Sequence, residues 1–379
     1  MIPKEYYFKL IILIAPIFSS ITALLTVWFS FVKSPSQQGK IKKYLLLYFI
    51  CAFISWAGLS FYYILPGLFA VLNSLFLLTF ILIQIFFYAF VFSLTKTQND
   101  EQFSRGHYIA PLTFFLTLSL LMLTTPFSKQ VELVAKFGVY SGQPLFFYWL
   151  SNNKMAIRLI FTLVYTGLSF YRLRRFRKVI VDYSANEDRS NLNWVTTILF
   201  LSLILIIIPL VGLINKAHYL STWFTAIPIA ILIIQYAYLS FHIVSRNYIV
   251  ISPDYEKKIE HEIGSAADYK ELFLASDMKK QALTPEKFEA YINGQKPYLN
   301  PELKITDLVN QLGINRTYIS SFINSHYSVN FSRYINLCRV EEYNRICSNP
   351  DNEVKSKQEL AEMAGFNSYK SFMRFKNSL

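Results

Sequence analysis

Seven long apolar runs occupy the first two-thirds of the chain, at residues 10–31, 44–64, 68–94, 108–127, 155–171, 194–214 and 220–243. A hydrocarbon crossing takes roughly 20 apolar residues at 1.5 Å rise per residue, and inside lipid no backbone N–H or C=O is left unpaired. Uncharged runs of this length therefore predict transmembrane helices. The fifth is the shortest and carries Arg158 one turn in. Charged residues make up 16% of the chain, below the quarter common in soluble domains, so a purely soluble fold is excluded. Lys4 and Lys9 precede the first run in the manner of a signal peptide, but the apolar stretch continues to Val32 and predicts a retained span.

The net charge of +13 invites a nucleic-acid reading, and its distribution redirects it. Residues 248–379 carry 17 basic and 17 acidic side chains, which leaves 20 against 7 in residues 1–247. The excess is thus a topology signal, because Lys and Arg collect in cytoplasmic loops. Lys33, Lys40, Lys42, Lys43, Lys96, Arg105, Arg172, Arg174, Arg175, Arg177, Lys178, Arg189 and Arg246 fall on one side of seven spans. Only Lys4, Lys9, Lys129, Lys136, Lys154, Arg158 and Lys216 fall on the other. The expected topology has the N-terminus outside and the C-terminal region in the cytoplasm. The basic run from Arg172 to Lys178 needs no explanation beyond retention on that side.

Between Ser128 and Lys154 the outer loop holds Phe146, Phe147, Tyr148 and Trp149, an aromatic run expected at the headgroup interface. Asn73 and Gln84 are the most polar residues of the third span, and interhelical hydrogen bonds account for them. Residues 248–297 read as a juxtamembrane linker with helix-like pieces at 253–263 and 285–292 and no heptad seam.

From Ile305 compact helices alternate with turns. Leu308, Val309 and Leu312 make one apolar face, Gly313 suits a left-handed turn, and Asn315 suits the cap of the next helix. In that helix Tyr318, Ile319, Phe322 and Ile323 fall on the packing side, leaving Arg316, Thr317, Ser320, Ser321 and Asn324 on the open side. This is helix-turn-helix spacing, with short polar side chains able to approach base edges. About fifty residues on the plan recurs. Ser356 and Glu359 form a capping box, Leu360, Ala361 and Met363 supply the buried face, and residues 364–367 make the turn. A last helix from about Ser368 offers Tyr369, Lys370 and Arg374 opposite Phe372 and Phe375.

Residues 301–379 resemble the C-terminal DNA-binding domain of the AraC/XylS family of transcription regulators. The resemblance rests on the Asp307-Leu308 helix, the spacing of Tyr318, Ile319 and Phe322, the connecting helix around Arg339, and Ala361 with Gly365-Phe366. It implies two helix-turn-helix units reading successive major-groove segments. Thr317, Ser320 and Ser321 match base-reading positions of the first unit, and Tyr369, Lys370, Met373 and Arg374 those of the second. The layout is similar to the membrane-anchored subset of that family. Two departures stand out: one residue fewer between Arg374 and Phe375 than the family has, and no Gly-x-x-Pro segment with a closing helix after them. Lack of that helix would uncover Phe372 and Phe375.

The three cysteines, Cys51, Cys338 and Cys347, lack metal-ligand spacing, and so do His107, His218, His242, His261 and His326. No catalytic constellation, phosphate loop or cofactor motif is present, so the chain is not expected to be an enzyme and no cofactor or metal is called for. The expected fold is all-α: a seven-span bundle over residues 1–247, a linker over 248–297, and a cytoplasmic two-unit helix-turn-helix domain over 298–379 that lacks its closing helix. The expected function is a one-component transcription regulator in the inner membrane of a bacterium. Its partners would be double-stranded DNA, the lipid bilayer, a small-molecule signal and a second copy in a homodimer, with DNA contacts from Asn315, Arg316, Thr317, Ser320, Ser321, Asn324, Tyr369, Lys370, Met373 and Arg374. Alternatives are a transporter or solute receptor whose C-terminal helices bind protein, and a truncated regulator with impaired DNA binding.

Overall fold

The computed structural model describes residues 4–33, 36–97, 101–136, 146–207, 210, 223–249, 251 and 283–379. They are helical throughout, with no strand among them beyond one isolated bridge. The chain divides into two compact units. The first comprises Met1–Thr95, Gln102–Leu173 and Asn193–Tyr248, and the second Lys96–Glu101, Arg174–Leu192 and Ile249–Leu379.

In the first unit the principal helices are α1 (Lys4–Val32), α2 (Ser36–Ile64), α3 (Pro66–Val71), α4 (Asn73–Leu94), α5 (Ile109–Thr124), α6 (Phe127–Ala135), α7 (Phe146–Asn152) and α8 (Lys154–Ile180). The last turns of α8 belong to the second unit. After α9 (Glu187–Ser190), which belongs to the second unit, come α10 (Asn193–Ile204) and α11 (Trp223–Val244). Among the described residues six helical stretches are long and apolar enough to cross a bilayer: Lys9–Val32, Gln38–Ile64, Asn73–Leu94, Arg105–Thr124, Lys154–Ile180 and Ala226–Val244. They mark the chain as a membrane protein. The run at 194–214, expected as a further span, begins as α10, and most of its remainder lies outside the described residues.

Packing explains which faces are covered. Helix α4 is buried along most of its length, and Leu77, Ile81 and Ile85 join Leu118, Phe147, Tyr148, Leu150 and Ile157 in one core. Helix α5 is apolar all round yet buries only Pro111 and Leu118, leaving Leu112, Leu116, Leu120 and Leu123 exposed. A helix greasy on every face with most of it uncovered has lipid for a solvent. Gly58 lets α2 approach α4, since a Cβ there would stand 2.5 Å from the Phe76 ring.

Several polar groups in the bundle are paired between helices. Lys154 Nζ donates to buried Asn73 Oδ1, Ser55 Oγ donates to Thr79 Oγ1 at 3.0 Å, and Gln235 donates to Ser202 Oγ at 2.8 Å. Lys42, read from the sequence as a loop charge, is fully buried, with its ammonium on the Ser30 carbonyl and hydroxyl at 3.0 and 2.7 Å. The aromatic run at 146–149 divides. Phe146 and Trp149 are exposed and stacked at 5.6 Å, whereas Phe147 and Tyr148 are buried in the core. Helical geometry sends neighbouring residues to different faces, so the whole run cannot sit at the headgroups.

The second unit holds α9 (Glu187–Ser190), α12 (Pro285–Gln295), α13 (Ile305–Leu312), α14 (Arg316–Tyr327), α15 (Phe331–Cys347), α16 (Lys357–Met363) and α17 (Tyr369–Lys376). Helix α12 is the helix-like piece expected at 285–292, started by Thr284, whose hydroxyl accepts from Lys287 N at 3.4 Å. The other piece, 253–263, lies outside the described residues. Residues 174–192 are part of this unit's fabric. Ala185 N donates to Leu303 O at 3.1 Å, Ile305 N to Tyr183 O at 3.0 Å, and Ser332 N to Val181 O at 3.0 Å.

Candidate nucleic-acid interface

The first helix pair is α13 and α14. Helix α13 buries Ile305, Leu308 and Val309 and ends at Gly313 with φ 64 and ψ 25, the left-handed conformation glycine takes without a Cβ clash. Asn315 then caps α14, its side chain accepting from Tyr318 N at 2.7 Å. Ile319, Phe322 and Ile323 point into the core, with Phe322 5.4 Å from Phe288. Thr317, Ser321 and Asn324 are exposed, and Asn315, Arg316 and Ser320 are half-buried. Leu312 and Tyr318, expected on the packing side, are half-buried.

The second pair is α16 and α17. Ser356 and Glu359 cap α16 reciprocally, with Ser356 N donating to Glu359 Oε2 at 2.7 Å and Glu359 N to Ser356 Oγ at 3.3 Å. The Ser356 hydrogen bonds hold the Glu359 carboxyl below its ordinary range. Leu360 and Ala361 are buried, but Met363 is 42% exposed. It sits in the last turn of a seven-residue helix, with no neighbour covering it, so the expected buried role fails. Gly365 has φ 91, and a Cβ there would overlap the Tyr298 carbonyl oxygen and stand 2.9 Å from Leu299 Cα. Ser368 caps α17, accepting from Ser371 N at 3.2 Å.

On α17 Phe372 and Phe375 are buried, against the expectation that they would be uncovered. Phe372 stacks on Tyr343 of α15 with ring centroids 4.0 Å apart and meets Phe366 edge-on at 5.5 Å, so the long connecting helix supplies the cover. Tyr369 and Met373 are half-buried against the same cluster, while Lys370 and Arg374 lie on the open side.

Arg339 of α15 ties the unit together. It is buried, and it donates to Tyr298 O at 2.7 Å, Asn300 O at 2.7 Å, Ala185 O at 3.2 Å and Asn336 Oδ1 at 3.0 Å. Burial pulls its pKa down to about 10, which still leaves it charged near neutrality.

Residues 182–189 lie against both pairs. The Arg316 guanidinium stands 5.5 Å from the Tyr183 ring centroid. Burial pushes the Asp182 carboxyl up, opposed by Arg316, a backbone hydrogen bond from Phe331 and the Asn324 side chain. Arg374 Nη1 meets Asp188 Oδ1 at 2.7 Å, with Glu187 Oε2 3.8 Å from Nη2. Ser371 Oγ donates to Asp188, Asn336 Nδ2 donates to Glu187 Oε1 at 3.3 Å, and Asn186 Nδ2 donates to Glu302 Oε1 at 2.7 Å.

None of Asp182, Tyr183, Glu187 and Asp188 stood out in the sequence. A signal was present in length: residues 172–193 exceed the roughly 12–15 beyond which a loop is usually functional. Among the described residues no group of three or more His, Cys, Asp or Glu is placed to hold a metal. No protein-family model, curated protein or solved structure matches the chain.

Proposed function

We propose that the chain is a membrane-bound one-component transcription regulator, in which α13–α14 and α16–α17 act as two helix-turn-helix units that bind double-stranded DNA. One observation carries the reading. In each pair the second helix is capped, buries its aromatic or aliphatic face, and turns a polar face outward, with Thr317, Ser321 and Asn324 exposed on one and Lys370 and Arg374 on the other. Short polar and basic side chains on a rigid, capped helix are what major-groove readout uses. Arg339 and the Gly365 approach hold the connecting helix α15 and the second pair to the segment around Tyr298, favouring one geometry for that unit. The loop-charge asymmetry supports a cytoplasmic C-terminal region in a bacterial inner membrane. In this reading the bundle is sensor or anchor for a small-molecule signal, and a homodimer reads paired half-sites.

The test is selection of duplex DNA from a random pool by the full chain in lipid nanodiscs. The expected result is an enriched motif whose binding falls for T317A/S321A and for K370A. A pool left unenriched after repeated rounds overturns the reading.

A further inference from the structure

Arg374 is the most basic group on the open side of α17, and it is already occupied. Two carboxylates, Asp188 at 2.7 Å and Glu187 at 3.8 Å, face its guanidinium, and Ser371 one turn earlier donates to Asp188. The gap between the turn and the helix shrinks to about 10 Å³, roughly one water. At the other pair the same segment lays the Tyr183 ring under Arg316 and brings Asp182 towards Arg316 and Asn324.

The segment does not need the acidic pair for its attachment. Backbone bonds at Val181, Tyr183 and Ala185 hold it to the unit, and Arg339 reinforces Ala185. What Glu187 and Asp188 add is negative charge beside the helices that would receive phosphates. The contrast with Arg339 is informative. Arg339 is buried and multiply bonded, as a structural arginine is, whereas the Arg374 side chain is 41% exposed and its ion pairs are screened and exchangeable.

We propose that residues 182–188 are an autoinhibitory clasp on the DNA-reading helices, holding Arg374 behind two carboxylates and Arg316 against Tyr183 until residues 174–192 are withdrawn. The proposal rests on the DNA-binding reading of α14 and α17. Residues 174–192 join α8 to α10 along the chain, so the clasp is carried by the connection between two bundle helices and not by the 248–297 stretch that precedes the helix pairs. Withdrawal frees Arg374 for a phosphate or a guanine edge and removes two like charges from the path of the DNA backbone.

The experiment measures duplex affinity of the full chain in zwitterionic nanodiscs by fluorescence anisotropy. E187Q/D188N keeps the shapes and the hydrogen bonds to Asn336 and Ser371 while removing both charges. It is expected to tighten specific binding about five- to tenfold. D188N alone is expected to give a smaller tightening, and it disturbs the fold less. In an R374A background the gain is expected to shrink to less than half. Unchanged or weaker binding by both charge-removed forms, with wild type binding specific DNA, overturns the clasp and leaves the regulator reading standing. If neither wild type nor either variant binds any duplex, the regulator reading fails and the clasp falls with it.

Discussion

Arg339 Nε donates to the carbonyl oxygen of Tyr298 at 2.7 Å, and the same carbonyl closes the space beside Gly365. One backbone oxygen thus meets α15 on one side and the turn between α16 and α17 on the other. Replacing Arg339 with Ala strands the carbonyls of Tyr298, Asn300 and Ala185 in a buried site. The expected cost is about 3–5 kcal/mol, since removing one side of a buried charged network leaves its partners unsatisfied. Native-state hydrogen exchange over residues 331–347 measures it. Lys is expected to rescue little, because one ammonium cannot replace a planar fork of donors.

At Gly365 a side chain meets two obstacles, a φ of 91 and the backbone of Tyr298 and Leu299. Gly365→Ala is expected to cost about 2–4 kcal/mol, combining backbone strain with overpacking against atoms that cannot swing away. Gly313→Ala pays only the left-handed penalty, roughly 1–2 kcal/mol, because nothing lies within 4 Å of its Cβ position. Protease susceptibility of the two variants should rank in that order.

Glu342 and Asp182 predict opposite pH effects. Arg345 hydrogen bonds, with help from Lys296, hold the Glu342 carboxyl below its ordinary range. Its stabilisation is therefore present above the unfolded pKa of about 4.3 and is lost as pH falls through the lower folded value. Burial raises Asp182, so its contribution is largest below the unfolded pKa of about 3.9 and declines as pH rises through the folded value. Denaturation followed from pH 6 to pH 3 should show E342Q approaching wild type at the acid end, while D182N gains on wild type towards neutrality.

Lys370 and Ser321 should separate two kinds of DNA contact. K370A is expected to weaken binding about equally across sequences and to lower the salt slope by about 1, as loss of one phosphate contact does. S321A is expected to leave the slope unchanged and relax preference at one base position, at about 1–3 kcal/mol. Salt titrations on matched and single-mismatch duplexes distinguish the two.

In the bundle, Asn73→Ala leaves the Lys154 ammonium without its acceptor between α4 and α8. A loss of about 1 kcal/mol is expected, the scale of interhelical hydrogen bonds in membranes, read as a lower melting temperature in detergent. N73L/K154M is expected to recover most of the loss by removing both partners.

Legibility followed the range of the interactions. Caps and turns involve neighbours, so Asn315, Gly313, Ser356 with Glu359, and Ser368 were readable from local pattern. The same holds for the buried Ile319, Phe322, Leu360 and Ala361, which repeat at helical spacing. Periodicity misplaced Met363 because a seven-residue helix has too few turns to define a face, and it misjudged Phe372 and Phe375 because their cover comes from Tyr343, about thirty residues earlier. Lys42 defeated charge counting for a related reason: its partner Ser30 lies on the preceding helix.

By itself the sequence determined that this chain is helical and lives in a membrane, because apolar length, caps and glycine turns act within a few residues of one another. Only the tertiary structure decided that residues 182–189 face Arg316 and Arg374, that Arg339 gathers three carbonyls, and that Gly365 must stay bare. Those contacts join groups 154 positions apart at Ala185 and Arg339 and 186 apart at Asp188 and Arg374, and nothing local in either partner specifies the other. Side-chain charge and shape become selective only once the backbone has brought them together.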